Sequence, residues 1–282
     1  MLSKALPIAV LSIASAAYAQ TAPSSPLSFR IVKLEAKSCQ GKDRENNPIC
    51  HESEVAYPVT GDRHLDHWVK QQFHGRLPTQ HAVQAELNRN SEVKQVNQSN
   101  RQALREDGYL CRLMFVNTLN LEGYTANYAV FGKESWQYSC GTHGSGSHGL
   151  TVLKRGTPNP KPLTLNDILL PNQRDKLTQL LKEAYVKYLM AKGDSEEEAR
   201  ENMNSWSSSS RYGNFKATDN WRFDKNGLTF LYQSYEIGAY GVGRPELTIS
   251  AEDLQGIIKP EILQEIGNYR KNPVILQNPE IE

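Results

Sequence analysis

Apolar and polar residues alternate along FRIVKLEA (Phe29 to Ala36) and again along EVAYPV (Glu54 to Val59), the period of a half-buried strand. Pro58 has no amide to donate, so it marks the end of the second strand or a sheet edge. Thr60, Gly61 and Asp62 supply turn and N-cap chemistry for a helix carrying Leu65, Trp68, Val69 and Phe73 on one face. From Thr79 to Asp107 the chain is polar, rich in Asn and Gln, and weakly amphipathic with a helical period. The period of two returns in YLCRLMFVNTL, YTANYAVFG, WQYSC and HGLTVLKR. Turns are expected around Gly123, Gly132 and GTHGSGSHG (Gly141 to Gly149), giving an antiparallel meander. PLTLNDILL enters a helix from Gln173 to Lys192 with Leu177, Leu180, Leu181, Ala184, Tyr185, Tyr188 and Leu189 inward. A second helix, Ser195 to Trp206, has an acidic first turn suited to the positive end of its dipole. WRFDKNGLTFLYQS is a hairpin around Asn226-Gly227, followed by the strand LTI, a short helix and an extended tail. Strand clusters with helices set between them specify an α+β fold: antiparallel sheets with inserted helices.

The first nineteen residues stand outside this pattern. Lys4 is their one charge, Ala5 to Ala17 form a short apolar run, and Ala17-Tyr18-Ala19 is an A-x-A cleavage signal. Residues 1–19 therefore read as a secretory signal peptide, since the run is well short of the roughly 20 residues a membrane span needs. The expected location is the periplasm, or outside the cell. Losing Lys4 from a chain of net charge +1 leaves no net charge. A neutral chain lacks the basic footprint that phosphate contacts need, which excludes nucleic acid and anionic lipid as main partners.

The four cysteines, Cys39, Cys50, Cys111 and Cys140, read as two disulfides in an oxidising compartment. Cys39–Cys50 would staple the charged loop QGKDRENNPI, and Cys111–Cys140 would tie two meander strands. The latter needs a strand turn near Thr125-Ala126, slightly later than Gly123 suggests.

Chemistry is sparse. His64 and His67 lie one helical turn apart and His143 and His148 flank a glycine loop, but no HExxH spacing or Cys-His ligand pattern occurs, so no metal or cofactor is expected. Ser145 and Ser147 sit beside histidines, yet neither satisfies G-x-S-x-G or the strand-to-helix turn it requires. Glu134 and Glu236 are no better placed for glycoside hydrolysis than the other acids.

RFDKNGLTFLYQSYEIGAYGVGRPELTISAEDL resembles the C-terminal signature of a family first catalogued as a domain of unknown function. The matching order is a hairpin F-D-x-x-G-L-x-F, a tyrosine-rich Y-E-I-x-x-Y with a glycine, a short strand and an acidic E-D-L. GTHGSGSHG followed by KPLTLNDIL is similar to that family's glycine-and-histidine loop and its entry to a long helix. EVAYPVTGDRHLDHWVKQQF resembles the companion domain that often precedes it, in which an asparagine stands near Asp66. The family includes the extracellular part of RsiV-type anti-sigma factors, which bind lysozyme, and the non-catalytic region of some peptidoglycan deacetylases. The resemblance implies a companion-like part at 20–107 and an RsiV-type domain at 108–282. It also implies a non-enzymatic module that recognises an envelope protein, lysozyme among the candidates, or a glycan. The alternative is a hydrolase of peptidoglycan or polysaccharide. In YEIGAYGVGRP, Gly238, Gly241 and Gly243 would allow backbone conformations closed to other residues. Tyr235, Glu236, Tyr240 and Arg244 are the expected ligand-binding side chains, the tyrosines half exposed and Arg244 beside them.

Overall fold

The structure is a computed structural model and describes residues 27–106, 108–141, 143–208 and 215–272. The expected signal peptide lies outside these residues. Strand β1 (Arg30–Lys42) pairs antiparallel with β2 (Pro48–Val59). Half of the segment expected as a loop between Cys39 and Cys50 is strand. Only Asp43 to Asn47 turn, with the Asp43 carboxylate accepting from the Glu45 and Asn47 amides at 3.0 and 2.8 Å. Cys39 and Cys50 face each other across the hairpin and are disulfide-bonded, Cα atoms 4.0 Å apart.

Helix α1 (Arg63–Gln71) starts where the Asp62 carboxylate accepts from the His64 and Leu65 amides. It buries Leu65 and Val69 with Phe73 against Tyr57 and Phe131. The polar stretch forms α2 (Gln80–Arg89) and α3 (Ser91–Glu106), which bury Val83, Leu87 and Val93 over Leu113 and Ala36. These three helices carry the chain back across one face of the sheet. Strand β3 (Leu113–Tyr124) therefore lies parallel to β2, Glu52 opposite Met114 and Ala56 opposite Thr118. This pair departs from the expected all-antiparallel pattern, because a helical crossover returns the chain to the same end of the sheet.

Strands β4 (Tyr128–Ser139) and β5 (Ser145–Lys154) complete the expected meander. Its turn is at Thr125 to Asn127, where the Thr125 amide donates to the Tyr128 carbonyl at 2.8 Å. Neither expected turn glycine turns. Gly123 lies at a bulge in β3, and Gly132 is mid-strand in β4. The later turn brings Cys111 and Cys140 together as the second disulfide, Cα atoms 5.2 Å apart.

Helices α4 (Leu165–Ile168), α5 (Arg174–Ala191) and α6 (Glu196–Ser208) follow. A three-stranded antiparallel sheet comes next, of β6 (Trp221–Phe223), β7 (Gly227–Leu231) and β8 (Glu246–Ser250). Helix α7 (Pro260–Ile266) leads to β9 (Arg270–Lys271), which pairs with the end of β3. The largest core lies between the sheets: Tyr128, Val130 and Val152 meet Trp221, Phe223 and Phe230, with Leu177, Leu181 and Tyr185 of α5. Alternation along β4 sends Ala129 and Phe131 to the α1 side instead. The fold is α+β, and its first sheet draws strands from both sides of residue 107.

Candidate functional site

The loop after β7 is held from below. Ile237 is buried, and the Tyr188 hydroxyl donates to the Val242 carbonyl at 2.9 Å. Of the three glycines, only Gly243 (φ +82°) uses a left-handed conformation; Tyr235 does so as well (φ +67°). Gly238 is required for a different reason, since a Cβ there would overlap the Tyr185 hydroxyl. Gly241 has open space and an ordinary φ, and nothing in the structure explains it.

Tyr235 and Tyr240 are 47% and 41% exposed, among the few large apolar residues so open, with ring centroids 5.5 Å apart. The Tyr240 ring also stacks on His143, 4.1 Å away at 21°. His143 belongs to the β4–β5 connection, whose Gly144 lies flat on Trp136; a Cβ at 144 would enter the indole. Trp136 in turn stacks near Tyr138, 6.4 Å apart at 14°. Three segments, the end of β4, the glycine-histidine run and YEIGAYGVGRP, thus build one strip: the Tyr138 and Trp136 rings, Gly144 against Trp136, then the rings of His143, Tyr240 and Tyr235.

Beside the strip runs a chain of alternating charges between the sheets. Arg244 Nη1 donates to both oxygens of Glu134, at 2.8 and 3.0 Å. Glu134 faces His148 Nδ1 at 3.4 Å, and His148 Nε2 is 2.8 Å from Glu122. Arg222 continues from Glu122, at 3.7 Å, to Glu246. Gly132 makes room for this chain, because a Cβ there would overlap the Glu122 carboxylate and lie 2.8 Å from His148 Nε2. Burial opposes charge on His148, but the hydrogen bond to Glu122 and the charges of Glu122 and Glu134 outweigh it and raise its pKa. Burial likewise opposes charge on Arg222, and Glu246 and Glu122 more than restore it. Amide contacts tie the same region together: Gln233 Nε2 donates to the His148 carbonyl at 2.7 Å, and the His148 amide donates back to Gln233 Oε1 at 2.9 Å.

The expected binding side chains therefore divide. The two tyrosines are presented as expected. Arg244 is not a free cation beside them but clamps the loop to β4. Glu236 folds its carboxylate back to accept from the Gln233 amide at 2.7 Å, and desolvation there raises its pKa despite that bond and Lys216. Glu134 is held between Arg244 and His148. Ser145 and Ser147 alternate with His148 along β5, so the imidazole points to the opposite face. His64 and His67 pair with Arg63 and Gln71 at the helix surface. Asp66, at the asparagine position of the companion resemblance, accepts from the Thr60 amide and hydroxyl at 2.7 and 2.8 Å. Among the described residues no group of three or more His, Cys, Asp or Glu could hold a metal ion.

Residues 166–252 match the model of a protein family of unknown function, DUF3298. The match covers α5, α6, the second sheet and the aromatic loop. No curated protein matches the chain. Solved structures that share the fold include two DUF3298 proteins. One, a member of the DUF3298 family from Bacteroides fragilis NCTC 9343, is 21% identical with a TM-score of 0.60, over 85% of this chain and 98% of that one. The other, a DUF3298 family protein from Pseudomonas aeruginosa PAO1, is 20% identical with a TM-score of 0.57, over 86% of this chain and 98% of that one.

Proposed function

We propose that the protein is an exported, non-catalytic recognition protein of the cell envelope. Its ligand is a protein, with lysozyme the candidate implied by the RsiV-type resemblance, or a peptidoglycan-type glycan. The observation that carries this is the strip of partly exposed rings from Tyr138 to Tyr235, brought together from three segments beside the charge network. Aromatic side chains held in place by their surroundings give large contact area at little entropic cost and anchor most interface energy. Two disulfides suit an extracellular or periplasmic setting. Among the described residues no helix is long and apolar enough to cross a membrane. The hydrolase alternative has no support in the carboxylates, since Glu134 and Glu236 are both engaged in internal bonds.

Tyr240→Ala is the test. Losing one anchor should weaken partner binding by about thirtyfold, as 2 kcal/mol of contact implies. The half-exposed ring gives up two ring contacts, so the melting temperature should fall only a few degrees. Pull-downs and titrations with lysozyme and with peptidoglycan fragments, beside a muropeptide digestion assay, decide the matter. A large loss of stability with unchanged affinity per folded molecule overturns the recognition role, and muropeptide cleavage overturns the non-catalytic one.

A further inference from the structure

The opposite face of the first sheet carries an open groove of about 440 Å³ between the strands and α2. It lies where the α1 cluster and the α2–α3 cluster part. Register lays its floor in two cross-strand rows: Ser53, Phe115, Gln137 and Ser145 in one, Val55, Asn117, Ser135 and Ser147 in the other. Central strand positions beneath helices ordinarily carry branched apolar residues; here Val55 and Phe115 stand among hydroxyls and amides. The Asn117 amide oxygen is buried without a partner. Glu86 and Leu87 of α2 form one wall, and no Lys or Arg is among the described residues that line the groove.

We infer that this groove binds a neutral saccharide of one or two pyranose rings. Sugar hydroxyls both donate and accept, as do the serine hydroxyls, whose protons rotate to suit. A half-turn of the Asn117 amide presents either its oxygen or its nitrogen to such a ligand. Phe115 and Leu87 offer apolar surface to the C–H face of a pyranose. An anionic ligand would find a carboxylate and no cation. The volume lies within the roughly 300–1,000 Å³ of small-molecule sites. Trp136 borders this groove as well as belonging to the strip, but the side chains of Ser135, Gln137 and Ser147 alternate to the face opposite Glu134 and His148.

Saturation-transfer NMR and calorimetric titration of the signal-free chain with cellobiose and with N,N′-diacetylchitobiose test the inference, the two differing in acetamide groups. At least one disaccharide should bind. Ser147→Trp and Ser135→Tyr, each filling the groove from an exposed strand position, should weaken that binding about tenfold or more in protein that melts as the native chain does. The same losses should appear when the two substitutions are made in the Tyr240→Ala chain, so that binding at the strip cannot stand in for binding in the groove. Binding of neither disaccharide, or native-like binding in both filled variants, overturns it.

Discussion

Arg244→Met keeps the unbranched apolar stem of the side chain and removes the guanidinium and its charge. The native guanidinium lies within 3.0 Å of both Glu134 oxygens, and the two side chains are 24% and 9% exposed. At this separation and an effective dielectric of ~20 the gross attraction is about 5–6 kcal/mol. Breaking a fully buried pair costs about 3–5 kcal/mol and an exposed pair under about 1. Arg244's exposure, and the imidazole left 3.4 Å from Glu134, bring the expected loss to about 2 kcal/mol. For a chain of this size that is a fall in melting temperature of about 4–8 °C.

The penalty should depend on pH through His148. Its folded pKa is raised, so its contribution to stability is full below the unfolded value of about 6.5 and is lost as pH rises through the folded value. Arg244 is the charge that pulls this pKa down. Without it His148 holds its proton more tightly and screens Glu134 better. The variant's deficit should therefore be largest near pH 9 and shrink toward pH 5.5. Urea unfolding at both pH values measures it. Equal deficits at the two, or none at either, refute the coupling of this loop to the histidine.

Gly132→Ala drives a methyl into the Glu122–His148 pair and should cost about 2 kcal/mol in thermal melts; native stability would mean that the charge chain can shift aside. The double variant Cys39→Ser, Cys50→Ser opens a bridge of sequence separation 11, worth about 3 kcal/mol in the chain-entropy model. The pairing from Arg30 to Ala36 should keep it folded, and denaturant midpoints unchanged from the native chain would contradict that contribution. Asn220→Ala removes a clip between the sheets, whose amide donates to the His148 and Leu231 carbonyls at 3.0 Å and accepts from the Leu150 amide. It should lose about 3 kcal/mol, with faster hydrogen exchange at Leu150, and exchange as slow as native would refute the role.

The elements that one short segment specifies were legible in the sequence. Asn226-Gly227 announced its hairpin, Asp62 its helix, and strand alternation the meander. Partner direction was not, because alternation reports which face a residue takes and not which strand lies beside it; hence the parallel β2–β3 pair. Glycine misled in the same way. Gly123 looks like a turn, but it clears Tyr269 and the Arg270 carbonyl, and Gly146 clears the backbone of Ser135 and Trp136. The exposed tyrosines could be named from their own segment, whereas His143 and Trp136, which complete the strip, come from another sheet. The charge chain was hidden because Glu122, His148, Arg222 and Glu246 each resemble an ordinary surface charge until the sheets face each other. One sign was present: Arg222 stands between Trp221 and Phe223, where an unpaired cation would be costly.

The pairing of β9 with β3 bears on the order in which the molecule can assemble. Beta-two covers the first half of one β3 edge, but at Gly123 and Tyr124 that edge is met only by Lys271 and Arg270. Asn272 adds bonds to the Glu122 and Leu121 carbonyls, both at 2.8 Å. In a chain emerging from its N-terminus, this edge of the central strand stays unpaired while the β4 side is already zipped and α1 to α7 are being made. Closing so long a loop gains its contacts only after the entropy has been met, which makes such pairings late. Until then the Gly123 notch stands open, with Tyr269 outside it. Folding finishes in the middle of the sheet.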